Sequence, residues 1–96
     1  MTADAVGATF AALSDPTRRH VVGMLSSVPA VTATELAREL PISRQAVAKH
    51  LAALESAGIV VAERRGRETR YRLTPTGTEW DGRLDALRAH LERRRS

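Results

Sequence analysis

Two sets of side chains in this chain could do chemistry. Arg44, Gln45 and Lys49 share one short stretch, and Arg64, Arg65, Arg67 and Arg70 come further along. Their common chemistry is donation to anions and to planar acceptors. Arg and Gln can each form paired hydrogen bonds, to a guanine and an adenine edge respectively, while Arg and Lys neutralise phosphate. Nucleophilic or redox chemistry has no comparable footing. The sequence holds no cysteine and no glycine-rich phosphate loop, and Ser43 and Glu35 are better explained as helix-capping groups than as nucleophile and base. No enzyme activity and no cofactor are expected.

The elements that must position the first set lie between Thr32 and Leu51, TATELARELPISRQAVAKHL. Thr32 and Glu35 fit a capping box, in which two orphan N–H donors of the first turn are satisfied reciprocally. Val31 and Leu36 have the spacing of a hydrophobic staple, and Leu36, Ala37 and Leu40 share a face. Pro41 ends that helix because it lacks an N–H. Ser43 caps a second helix, Ile42 and Val47 repeat the staple, and Gly58 suits the left-handed residue that closes it. Val47, Leu51 and Leu54 recur at core spacing. At about 100° per residue, Gln45, Lys49 and Ala52 fall opposite that stripe. Ala46 flanks them, Arg44 projects from the first turn, and His50 sits at the flank as a packing or phosphate-contacting residue. The free N–H groups of the helix start also favour phosphate. A solvated helix face would carry similar residues; the tight turn before the helix and the basic segment after it favour a helix that enters a DNA groove.

That basic segment reads as a wing. Ile59–Arg65, IVVAERR, is β-branched and then basic, Gly66-Arg67-Glu68 makes a turn, and Thr69–Leu73, TRYRL, alternates with period two. Tyr71 and Leu73 should point one way, Arg70 and Arg72 the other. Arg64, Arg65, Arg67 and Arg70 are expected to cluster near the hairpin tip, where they repel one another unless a polyanion neutralises them. The alternative is an edge hairpin kept soluble by charge.

The flanks read as helices. Val6, Phe10 and Leu13 share a face of the first. Asp15 caps the second with Pro16 at its first position, where a missing N–H costs nothing, and Val21, Val22 and Leu25 form its core face. Ser26–Val31 reads as a loop. Thr74 and Pro75 start a last helix, along which Trp80, Leu84, Leu87 and Leu91 make a stripe. With Phe10 this stripe is expected to form a dimer seam; the alternative is docking within one chain. The 96 residues suit one domain, 1–96, with a helix-turn-helix over about 32–57, a wing over about 59–73 and terminal dimerisation helices over about 4–13 and 75–93. The fold class is mainly α with a small β-hairpin, a dimeric winged helix-turn-helix. A net charge of +4 and a pI near 11 suit a nucleic-acid partner. No apolar run approaches the about 18–20 residues of a membrane span, and the first residues lack a charged-then-apolar order, so the chain is expected in the cytoplasm and off membranes.

These residues resemble the ArsR/SmtB-type winged-helix transcriptional regulators over about Phe10 to Leu91. FAALSDPTRRHVVGML (Phe10–Leu25) is similar to that family's approach to its second helix, with Asp15, Pro16, Thr17 and Arg18 in register. Thr32–Val60 resembles its helix-turn-helix and RRGRETRYRL (Arg64–Leu73) its wing. The resemblance implies a homodimer that binds an imperfect palindrome in double-stranded DNA, usually as a repressor. Thr32, Ser43, Arg44, Gln45, Ala46, Lys49, His50 and the wing arginines are then the expected DNA-facing residues. Many such regulators bind metals through a Cys-x-Cys in the first helix of the helix-turn-helix, but here the segment is Glu35-Leu36-Ala37-Arg38-Glu39. Others use Asp-x-His with His-x-x-Glu, and the spacings of Asp81, Asp85, His90 and Glu92 do not match. The resemblance is therefore to a branch that does not sense metals, with a small organic effector near Phe10 and Trp80 as one means of control. Two other readings are a winged-helix module that docks protein, and a MarR- or PadR-like regulator, whose wing exit YRLTPTG (Tyr71–Gly77) resembles.

Overall fold

The computed structural model describes residues 3–95. In chain order the elements are α1 (Ala3–Leu13), α2 (Pro16–Leu25), β1 (Val31–Thr32), α3 (Ala33–Glu39), α4 (Arg44–Ser56), β2 (Val60–Arg65), β3 (Glu68–Leu73) and α5 (Pro75–Arg95). The helices, the tight turn and the hairpin fall where the sequence places them. The sheet is larger than the expected hairpin. It has three antiparallel strands in the order β1-β3-β2, with Val31 opposite Tyr71 and Thr32 opposite Arg70. Two residues are too few to show an alternating pattern, so this strand is visible only through its partner.

The capping chemistry is local and explicit. The Asp15 carboxylate accepts from the N–H groups of Thr17 at 2.8 Å and Arg18 at 3.2 Å. Partial desolvation pushes its pKa up, but those two backbone donors, with the charge of Arg18, outweigh it and hold the group below the ordinary carboxylate range. Arg19 reaches back to donate to the Leu13 carbonyl at 2.7 Å, closing the end of α1. The Thr32 and Ser43 hydroxyls accept from the N–H groups of Glu35 and Ala46, each at 3.1 Å. The capping box is thus half made: the Glu35 carboxylate lies beside Arg70, with Oε1 3.7 Å from Nη1.

The core forms where α2, α3 and α4 meet under the sheet. Val21, Val22, Val47, Leu51, Leu54 and Ile59 are fully enclosed, and Leu25 and Leu36 nearly so. Truncating any of these leucines to alanine should cost about 2–5 kcal/mol. The face of α1 that carries Phe10 and Leu13 is only partly buried. The buried face of α1 is Thr9, Ala12 and Leu13, at i, i+3, i+4, whereas Phe10 is 60% exposed. At about 100° per residue Ala12 and Leu13 flank Thr9 on either side, and Phe10 falls about 60° beyond Leu13, outside that arc. Val6, the other residue expected there, has a side chain outside the described residues.

Helix α4 ends in a Schellman closure. The Ile59 N–H donates to the Leu54 carbonyl at 2.9 Å and the Gly58 N–H to the Glu55 carbonyl at 3.0 Å. Between them Gly58 takes φ +76°, a left-handed conformation that a side chain would strain. The Ile59 carbonyl then accepts from the Thr74 N–H at 3.0 Å, while the Thr74 hydroxyl, with one proton to give, lies 2.6 Å from the Gly58 carbonyl and 3.1 Å from that of Ile59. Thr74 in turn accepts from the Gly77 N–H at 3.0 Å, capping α5. Helix α5 lies so close here that a Cβ on Gly77 would collide with the Ile59 carbonyl oxygen. Because that neighbour is backbone, it cannot swing aside. Gly77→Ala should therefore lose about 1–3 kcal/mol of stability, read by urea denaturation; an unchanged midpoint would show that α5 is not clamped at this point.

Candidate nucleic-acid interface

Helix α4 opens with Arg44 and Gln45 exposed and Ala46 half-buried, since Val47, Leu51 and Leu54 fix the opposite face in the core. Lys49, Ala48 and Ala52 continue the exposed face. Among the described residues the side chains of Arg44, Gln45, Lys49 and Arg67 make no hydrogen bond or ion pair, and the last of these projects from the hairpin turn. That turn has two residues, Gly66 and Arg67, between the paired Arg65 and Glu68, with Gly66 at φ +63°. A positive φ at the first central residue alone fits a type II′ turn, whose twist matches antiparallel strands.

The wing arginines do not form one cluster. Side chains alternate along a strand, so Arg64 shares a sheet face with Thr69 and Tyr71, while Arg65 and Arg70 lie on the other with Glu63 and Glu68. Arg70 has two carboxylate neighbours, Glu68 at 2.9 Å and Glu35 at 3.7 Å. Arg65 lies 3.8 Å from Glu63. Arg64 donates only to the Gly66 carbonyl, at 3.3 Å. The repulsion expected of four adjacent guanidiniums is thus partly relieved within the protein, because Glu63 and Glu68 interleave with them. Counting arginines alone passes over these acids, although their spacing of two from Arg65 and Arg70 is visible in the sequence.

Arg44, Gln45, Arg64, Arg67, Thr32 and Thr34 come together on one open cleft of about 450 Å³ between the start of α4, the start of α3 and the wing, which Glu68, Thr69 and Tyr71 also line. Ser43, Ala46, Lys49, His50, Arg65 and Arg70 do not line it. Ser43 is occupied as the α4 cap. His50 is half-buried and faces α2, where its Nδ1 accepts from the Arg18 Nε at 3.2 Å. Thr34, Ala48 and Thr69 are cleft residues that sequence reasoning misses. Thr34 and Ala48 can be found from helix geometry once the turn is placed, but Thr69 needs the strand register.

At the far side Phe10 and Trp80 meet edge to face, ring centroids 5.1 Å apart and 77° between planes. The Arg83 guanidinium covers Trp80 at 5.0 Å. Trp80 and Leu84 are half-buried against their own chain's core. The side chains of Leu87 and Leu91, assigned to the same stripe, lie outside the described residues.

A helix-turn-helix followed directly by a two-stranded hairpin, with the exposed start of the second helix and the hairpin turn bordering one cationic cleft, defines a winged helix-turn-helix. A family model described as a helix-turn-helix domain matches residues 13–63. The HTH-type transcriptional regulator Rv2034 of Mycobacterium tuberculosis is 44% identical over 82 residues, 85% of this chain and 70% of that protein. The arsenical resistance operon repressor of Escherichia coli is 29% identical over 86 residues, 88% of this chain and 74% of that protein. The solved structure of an ArsR-like transcriptional regulator from Rhodococcus sp. RHA1 superimposes with a TM-score of 0.71 at 40% identity, covering 95% of this chain and 86% of that one. The chain belongs to the ArsR-type winged helix-turn-helix transcriptional regulators, and is a DNA-binding transcriptional regulator.

Proposed function

We propose that the protein is a homodimeric repressor that reads an imperfect palindrome with the start of α4 and grips the flanking backbone with its wing. The observation that carries this reading is the convergence of Arg44, Gln45, Arg64 and Arg67 on one open cleft, with Arg44, Gln45 and Arg67 bound to nothing among the described residues. A free guanidinium and an amide on a rigid helix start suit base edges; an arginine on a turn suits phosphate. Repression is supported by the name of the Escherichia coli relative. Arg44→Ala or Gln45→Ala should lose about 1–3 kcal/mol on a duplex selected from random sequence and relax one base position. Arg67→Ala should weaken all sequences alike and reduce the salt dependence by about one unit per subunit. Equal, sequence-selective losses from both sets would contradict this division.

Dimerisation is supported by the outer face of α1. Gly7, Ala8, Phe10 and Ala11 are all exposed there, an apolar surface beside Trp80. Phe10→Glu leaves the core residues in place, so it should give a folded monomer with weakened DNA binding, measured by sedimentation and anisotropy. Wild-type protein that sediments as a monomer at about ten micromolar would contradict the dimer.

The residues do not fit a metal switch. Within α3, Leu36 belongs to the core and Glu35 is beside Arg70. His50 has its Nδ1 committed to Arg18, and there is no thiolate anywhere in the sequence. Zn²⁺, Ni²⁺, Co²⁺ and Cu⁺ titrated into the protein–duplex complex should leave anisotropy unchanged; stoichiometric release by any of them would overturn this part.

A further inference from the structure

Arg70 differs from the other wing arginines in where its charge goes. It lies on β3, the central strand, directly opposite Thr32, the cap of α3. From there its guanidinium reaches Glu35 on α3 as well as Glu68 on its own strand. Its side chain is 37% exposed, against 72% for Arg65. One cation among two carboxylates leaves no net positive charge to offer a phosphate, and both acids would repel a phosphate brought to Arg70. The ion pair with Glu35 also links α3 directly to β3, the strand that pairs with β1 just before α3. The elements it joins carry the two sides of the cleft: Thr32 and Thr34 at the start of α3, Arg64 and Arg67 on the wing.

We infer that Arg70 is a positioning residue, which fixes the wing against α3 through Glu35 and so sets where Arg64 and Arg67 stand relative to the start of α4, rather than a residue that contacts DNA. The inference rests on the DNA-binding reading above. It assigns the sequence-predicted Arg70 contact a different role, and gives Glu35 a part in sequence discrimination although it lies outside the cleft.

The test measures binding to two duplexes of equal length, one selected from random sequence and one of scrambled sequence, over a range of KCl concentrations. The variants are Arg70→Met, Glu35→Gln, their combination, and Arg67→Ala as the phosphate-contact control. Gln at position 35 keeps the length and helix preference of Glu, so the α3 start is undisturbed. Arg70→Met should leave the salt dependence on the scrambled duplex unchanged, while Arg67→Ala reduces it by about one unit per subunit. Arg70→Met and Glu35→Gln should each lower the preference for the selected duplex by about two- to fivefold, the range expected of one exposed ion pair. The double variant should be no worse than either single one, because both remove the same link. A salt dependence reduced by Arg70→Met, a preference untouched by Glu35→Gln, or additive losses in the double variant would each overturn the inference alone. Wild-type protein that binds both duplexes equally would overturn the DNA reading itself.

Discussion

The carbonyl oxygen of Ile59 is the point on which the arrangement turns. It comes after the Schellman closure of α4 and before the first residue of β2, and it accepts from the N–H of Thr74 at the start of α5, whose hydroxyl lies within reach of both the Gly58 and the Ile59 carbonyls. One backbone acceptor thus ties α4, the wing and the last helix together, with Gly77 letting α5 approach it closely. Ile59 itself is fully buried, so the junction cannot exchange its hydrogen bonds for water without opening the core. The position of the wing beside α4 depends on it. The face that α5 presents beside Phe10 depends on it too.

Charge is distributed by the same local geometry. The exposed start of α4 has no acids: Arg44, Gln45 and Lys49 stand without partners among the described residues. The hairpin interleaves acids with its arginines, and they divide those arginines into ones committed within the protein and ones left over. Arg67 escapes because it sits in the turn, outside the alternation, and Arg64 because it faces the other side of the sheet. Net charge alone gives no hint of this division, since it comes from strand register and not from composition.

The helical part of the fold is legible in the sequence because caps and stops are local. Thr32, Ser43, Asp15 and Pro41 each act within three residues, and the Val47–Leu51–Leu54 stripe needs only helix geometry. What is not legible depends on contacts between distant segments. β1 has no pattern of its own and exists because β3 lies beside it. Glu35 reads as half of a capping box until β3 brings Arg70 within reach. Phe10 reads as sharing a face with Leu13, and only the fold shows that α1 docks through Thr9, Ala12 and Leu13 while the Phe10 ring meets Trp80 of its own chain. His50 reads as a packing or phosphate-contacting residue at the helix flank, and only the fold brings its ring nitrogen to Arg18, 32 residues earlier in the chain. Among candidate site residues, those on the α4 start are recoverable by rotation about a helix axis. The wing residues are recoverable as a group but not individually.

The central claim is that this cleft reads DNA sequence, and that two copies do so together. Repeated selection by the purified protein from a random duplex library, followed by sequencing, tests it most directly. The expected result is enrichment of an imperfect palindrome whose half-sites are centred about one helical turn, or a multiple of it, apart, as two α4 helices related by a twofold axis require. Sequences no different from the input after several rounds, despite measurable binding, would contradict it.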